Sequence, residues 1–407
     1  MPALQISFLS VLRSKWIRRL AGAQVISTFG DALAMLAVFG LVTFQLHGTA
    51  AQAAMILVAY FAPLAVVGPL SGVYIDRWNV KWAMILSDVI RGFLVLGLVF
   101  VRDLTAICFI FFALSTVSSF FVPAQTVVLK TLAPAGGLLA VNALMTQANS
   151  GIAIIAPSVA GLLVQWFGAS SCFLLDSVSF FISATLVMTI RIKPERTECG
   201  RSVESVWAAM RAGTSFILKN RTVSLVVLAM SIGMFAVRCF GSLLSLYVRD
   251  VLHSDVALFG TLNTLIGVGL IVGTQLVHRC ASKVAEQYMV VSGLAVMGLG
   301  VLLTALFSTV ATTAAGMLSL GLGAACIIAP TQTLVQRETP PAMLGRVSSS
   351  RMSLFALSQV IAMLVAGPIA ERMGLKTLYL GSSFLLVSAG IVGLFKLRAV
   401  SRAQELY

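Results

Sequence analysis

The sequence predicts an all-α membrane protein of twelve transmembrane helices arranged as two pseudo-symmetric six-helix halves. Three observations carry this. Of the 407 residues, 59% are hydrophobic and only 10% are charged, with a mean hydropathy of +1.00. Soluble domains carry roughly 25% charged residues, so this chain lacks the polar surface to cover itself in water. The apolar stretches are long and continuous, as in 53–72 and 375–397. A membrane strand needs only about 10 alternating residues, whereas a spanning helix needs about 20 apolar ones. Finally, landmarks in the first half recur in the second, as set out below.

Six spans are expected in the first half, at 20–45, 52–75, 81–101, 104–128, 141–167 and 172–190. Each is a run of roughly the length that crosses the hydrocarbon core as a helix, with its backbone groups paired internally. The basic amphipathic stretch from Phe8 to Leu20 reads as a surface helix leading into the first span, because no small-residue cleavage motif follows it. The longest polar stretch, Arg191 to Arg221, is rich in Arg, Lys and Glu, and 202–219 has the pattern of an amphipathic helix. It divides the chain into 1–190, a linker at 191–221, and 222–407. Six more spans follow at 223–247, 257–277, 287–307, 310–334, 348–370 and 376–396.

The formal charge of +14 suggests nucleic acid until its distribution is considered. With both termini in the cytoplasm, 22 of the 28 Lys and Arg residues fall on the cytoplasmic side. Arg102, Arg249, Arg372 and Lys376 lie outside, and Arg91 and Arg238 lie within spans. Positive charge retained on the inner side sets orientation. The expectation is a multi-pass protein of the bacterial inner membrane that meets anionic lipid rather than nucleic acid.

The repeat is explicit. Pro123-Ala124-Gln125-Thr126 near the end of span 4 matches Pro330-Thr331-Gln332-Thr333 near the end of span 10, and Pro134 matches Pro341. Gly161 and Gly168 match Gly367 and Gly374, and Arg77 and Lys81 match Arg279 and Lys283. Gly and Pro are common in membrane helices, but the same order at near-constant offset points to duplication. Parallel repeats place a binding cavity between two halves that rock about it.

The stretch Gly72-Val73-Tyr74-Ile75-Asp76-Arg77-Trp78-Asn79-Val80-Lys81, continuing to Asp88 and Arg91-Gly92, resembles the signature loop of the major facilitator superfamily. Gly72, Asp76, Arg77 and Lys81 match that motif, while Asn79 and Val80 replace its usual Gly and Arg. Within the superfamily the chain looks most like the drug-proton antiporter branch of macrolide-efflux proteins and the enterobactin exporter. Ser27-Thr28-Phe29-Gly30-Asp31, Phe121-Val122-Pro123-Ala124, Ala140-Val141-Asn142, Pro157 with Gly161, Leu175-Asp176-Ser177 and Pro341-Ala342-Met343-Leu344-Gly345-Arg346-Val347 carry that likeness. One departure matters: span 4 has no Arg, where many antiporters of other drug branches carry one. The resemblance implies a cytoplasmic gate of Gly72, Asp76, Arg77, Lys81, Asp88 and Arg91, with Asp76 near the amino end of helix 11 and Arg77 paired to Asp88.

Asp31 is the sharpest individual feature. A charge at the bilayer centre costs about 2.5–3.5 kcal/mol on insertion scales, so such a residue is functional or paired. An acid that binds a proton on one side and releases it on the other would couple transport to a proton gradient; the competing reading is a structural hydrogen bond or ionic lock. Arg238, within span 7, is expected to bind substrate or to pair with Asp31, against a purely structural role. Gln24, Asn142, Gln147, Asn149, Asn263 and Gln359 are polar residues within spans, each a candidate substrate contact and each also a candidate for hydrogen bonding between helices. Gln125 and Gln332, related by the repeat, read as structural.

No nucleotide-binding loop, nucleophile elbow or zinc-protease motif occurs, and the six cysteines and three histidines are scattered. The expectation is therefore no enzyme, no metal and no cofactor. The predicted activity is secondary active export of amphipathic small molecules of drug, macrolide or siderophore class, by proton antiport with alternating access, in a monomer. Rivals are a lipid flippase or uptake facilitator on the same fold and, more remotely, a membrane sensor that transports nothing.

Overall fold

The computed structural model describes residues 14–75, 78–133, 138–191, 203–280, 284–340 and 343–405, and among these it is helical without strands. In the first half the helices are α1 (Lys15–Phe39), α2 (Ala50–Val66), α3 (Gly68–Ile75), α4 (Val80–Gly97), α5 (Leu104–Leu132), α6 (Leu138–Phe167) and α7 (Ala169–Met188). Then come α8 (Val203–Lys219), α9 (Arg221–Gly241), α10 (Leu244–Asp250), α11 (Val256–Cys280), α12 (Glu286–Phe307), α13 (Val310–Glu338), α14 (Leu344–Met373) and α15 (Leu375–Glu405).

Ten helical segments among the described residues are long and apolar enough to cross a membrane. The two remaining expected spans differ for readable reasons. Span 2 is broken at Val67 into α2 and α3, where Gly68-Pro69 follows a helix that already contains Pro63. Proline removes a backbone donor and crowds the preceding turn, so the helix restarts there. Span 3 is α4, an 18-residue apolar helix set apart by three charged side chains, Lys81, Asp88 and Arg91. Span 7 runs through α9 and α10 with a break at Ser242 and Leu243. Asn79 caps α4 by accepting from the backbone N–H groups of Lys81 and Trp82 at 3.1 and 3.3 Å. That satisfies two donors which have no partner inside the helix.

The chain forms two compact units. The first comprises residues 1–45 and 59–206, the second 46–58 and 207–407. In the first, α7 packs against α1 and α4, and a core of Ile17, Leu20, Met84, Phe121, Val128, Ala184 and Val187 fills one end. In the second, α13 packs against α11 and α12 across glycine seams. A Cβ added to Gly269 would stand 2.2 Å from the carbonyl oxygen of Leu318, and one added to Gly321 would stand 2.0 Å from that of Ile266. Only glycine permits that backbone approach, which is how membrane helices gain van der Waals contact.

The second unit also holds the amphipathic linker helix and the first turns of α2. Helix α8 docks through Gly213 against the backbone of Arg346, and Ser350 Oγ donates to the Met210 carbonyl at 2.8 Å. Residues 50–54 lie against Gly367 of α14, and Glu371 Oε1 accepts from the Ala51 N–H at 3.0 Å.

Candidate functional site

The ionisable residues inside the first unit converge. Asp31 of α1, Asp88 and Arg91 of α4, and Asp176 of α7 each lie at least about a turn and a half from either end of their helix. Arg91 is the hub. Its side chain is 5% exposed, Nη2 donates to Asp88 Oδ1, and Nη1 stands 3.9 Å from Asp31 Oδ2. The guanidinium lies 4.5 and 4.3 Å from the ring centroids of Phe121 and Phe180. A desolvated cation between two aromatic rings gains about 2 kcal/mol or more from such contact. Asp88 is fully buried, and its second oxygen accepts from Ser183 Oγ at 2.7 Å.

The two remaining carboxylates differ in access. Asp31 is 40% exposed, so one face of it opens away from the packed helices. Asp176 is 1% exposed, its Oδ1 lies 3.2 Å from Ser179 Oγ, and its Oδ2 has no hydrogen-bond partner among the described residues. Glycine makes the juxtaposition possible: a Cβ on Gly30 would stand 2.4 Å from both Asp176 Oδ1 and Ser179 Oγ. Ser177 Oγ donates to the Gly92 carbonyl at 2.9 Å and fastens α7 to α4.

Several residues singled out from sequence now have places. Asp88, which the resemblance pairs with Arg77, has its two oxygens taken by Arg91 and Ser183; Asp76 and Arg77 lie outside the described residues. Gly72 lies in α3, and Lys81 Nζ donates to the Met188 carbonyl at 2.7 Å at the end of α7. A cation at a helix carboxyl end is favourably placed against the macrodipole. Asp31 takes Arg91 as its ion partner, while Arg238 Nε, in the second unit, donates to Gln359 Oε1. Gln24 donates to Thr28 at 2.8 Å and accepts from Gln125 at 2.6 Å, which ties α1 to α5. Asn263 donates to the Phe259 carbonyl one turn back at 2.8 Å. Asn142, Gln147 and Asn149 lie on exposed positions of α6. Arg351, counted with the cytoplasmic cations from sequence, sits inside α14 with Nη1 3.6 Å from Met230 Sδ.

Asp176 is the residue that reasoning on single spans missed. It entered only as part of the motif Leu175-Asp176-Ser177. Its position, seven residues into a 20-residue apolar helix, is the signal that marks it as an intramembrane acid.

Buried charge among helices long and apolar enough to span a membrane marks a site of function or pairing. Comparison with known proteins makes this specific. The sequence profile described as Major Facilitator Superfamily matches residues 20–353, and the chain belongs to that family. It is 25% identical over 394 residues to the uncharacterized MFS-type transporter YfiS of Bacillus subtilis, covering 93% of each chain. It is 23% identical to macrolide efflux protein A of Streptococcus pyogenes, covering 91% of this chain and 93% of the relative. Against multi-drug resistance efflux pump PmrA of Streptococcus pneumoniae the identity is 22%, with 86% and 89% covered. Among solved structures, a mutant of the nucleoside transporter NupG superposes with a TM-score of 0.79 at 12% identity, covering 93% of this chain and 99% of that one. A bacterial homolog of the human lysosomal transporter Spinster, inward-facing and occupied, superposes at 0.76 and 11% identity, covering 95% and 97%. These two likenesses speak for the fold.

Proposed function

We propose that this transporter exports amphipathic small molecules of the drug, macrolide or siderophore class across the bacterial inner membrane in exchange for protons. The macrolide and multidrug efflux named for the two relatives in Streptococcus support the drug and macrolide class. The observation that carries the coupling is the geometry of Asp31: a half-exposed carboxyl within a span, 3.9 Å from a buried guanidinium. Ionised, it is held toward Arg91; protonated, it loses that attraction. A switch of this kind links proton occupancy to the packing of α1 against α4 and α7.

In this scheme the halves 1–190 and 222–407 alternate access, with 191–221 as a cytoplasmic linker and both termini in the cytoplasm. Arg238, whose guanidinium is oriented by Gln359, offers a cation to a carbonyl-rich or anionic part of the substrate. Asn142, Gln147, Asn263 and Gln24 are further polar contacts, and Gly72, Asp76, Arg77 and Lys81 contribute to the cytoplasmic gate.

Proteoliposome transport with an imposed pH gradient tests this, using a panel of dyes, macrolides and catecholate siderophores. Gradient-dependent movement in the wild-type protein that vanishes in Asp31→Asn is the expected result. Movement indifferent to the gradient would instead indicate a facilitator or lipid flippase, with Asp31 reduced to a structural role.

A further inference from the structure

The acid cluster holds three carboxyl groups against one guanidinium, and hydrogen-bond accounting shows where a proton must sit. Asp88 is satisfied as an anion, by Arg91 on one oxygen and Ser183 on the other. Asp31 is 40% exposed and has Arg91 within ion-pair range. Asp176 is 1% exposed, and an ionised carboxylate, which only accepts, offers about four lone-pair sites. Here Oδ2 has no partner among the described residues, and Oδ1 has Ser179 alone.

Ser179 has a single hydroxyl proton, and its shorter bond, 2.7 Å, goes to the main-chain carbonyl of Asp176. The 3.2 Å contact between Ser179 Oγ and Asp176 Oδ1 therefore lacks a full donor unless the carboxyl supplies one. The other groups facing Asp176 do not replace it. Helix α1 presents Asp31, a like charge; on α4, Arg91 is engaged by Asp88 and lies within range of Asp31; on α7 itself, Cys172 stands one turn back and carries no positive charge; and α6 has no ionisable side chain. Of the other cations with a hydrogen bond to this helix or its carboxyl end among the described residues, Arg19 and Lys81 donate to the carbonyls of Thr189 and Met188 at the far end of α7, and Arg102 donates to Ser170 Oγ near its start. An uncompensated buried anion costs several kcal/mol, and a neutral acid avoids that cost.

We infer that Asp176 is a second proton-binding site: a neutral carboxyl that donates to Ser179 and exchanges its proton with Asp31, the more exposed partner. The exchange is balanced. The proton leaves Asp176 as Asp31 takes it up, so one acid of the pair is neutral at each stage. This deepens the antiport reading and rests on it for the exchange step, whereas the resident proton is independent of transport.

Infrared difference spectroscopy of the full chain in lipid nanodiscs, with H/D exchange, reads the carboxyl directly. The expected result is a protonated-carboxyl band at neutral pH that survives Asp31→Asn and Asp88→Asn and disappears in Asp176→Asn. Ser179→Ala should move the band to higher wavenumber, because it removes the acceptor, and this variant keeps the test open if Asp176→Asn fails to fold. A band unaffected by Asp176→Asn, or one that moves with Asp88→Asn, overturns the proton site. In proteoliposomes, Asp176→Asn should lose gradient-driven accumulation while keeping downhill movement; full gradient-driven transport in that variant overturns the exchange. If the band assigns to Asp176 but wild-type transport ignores the gradient, the antiport reading fails and the resident proton stands.

Discussion

At the scale of single residues, Gly30 decides whether the acid cluster exists. It lets the backbone of α1 come so near α7 that a methyl group would meet Asp176 Oδ1 and Ser179 Oγ at 2.4 Å. Gly30→Ala should destabilise the protein by about 1–3 kcal/mol, the range for overpacking a tight site. Gly22 in the same helix is the control, since a Cβ there meets nothing within 4 Å. Gly22→Ala should be neutral or slightly stabilising, because alanine has less freedom to lose on folding. Thermal unfolding in detergent checks both, and equal midpoints for the two variants would mean that Asp176 yields without cost. Arg91 illustrates a related point. Its charge, within an apolar stretch, was legible from sequence, but Phe121 and Phe180 beside its guanidinium were not.

At the scale of elements, helix existence was largely legible, and the interruptions less so. Continuous apolar runs produce helices in lipid because every backbone group must be paired within the segment. The breaks at Val67 and at Ser242 and Leu243 depend on local backbone choices that hydropathy averages away. Asn79 is instructive because it departs from the family motif, yet it caps α4 through two backbone N–H groups. Replacing it with alanine should cost about 1 kcal/mol, with glycine losing only a few tenths. Unfolding measurements on Asn79→Ala and Asn79→Gly check the order; if glycine were the worse, loop rigidity rather than capping would explain the residue. The linker was expected to form a helix at 202–219, and α8 does so at Val203–Lys219, docked through Gly213 on α14.

At the scale of the whole molecule, the charge distribution makes a prediction that no contact can make. The expectation from positive residues retained inside is that both termini face the cytoplasm. A green fluorescent protein fused after Tyr407 should fluoresce, and alkaline phosphatase at the same place should be inactive; the opposite pattern would invert the topology. The placement of residues 46–58 with the second unit is a tertiary fact of another kind. It arises because Gly367 admits the backbone of α2 and Glu371 accepts from Ala51, a carboxylate meeting a helix amino end. Nothing in the apolar run at 52–75 distinguishes its first turns from its last.

The sequence alone determined the class of protein and most of its spans, because lipid imposes a length and a composition that read directly along the chain, and its motifs carried the family. It also marked Asp31, since a charge inside an apolar run is visible without coordinates. What tertiary structure decided is which charges meet. Asp31 and Asp176 stand 145 residues apart in sequence, and Asp88 and Ser183 stand 95 apart. They come together only because α1, α4 and α7 pack through Gly30 and Gly92, and periodicity within one helix carries no information about the face that another presents to it.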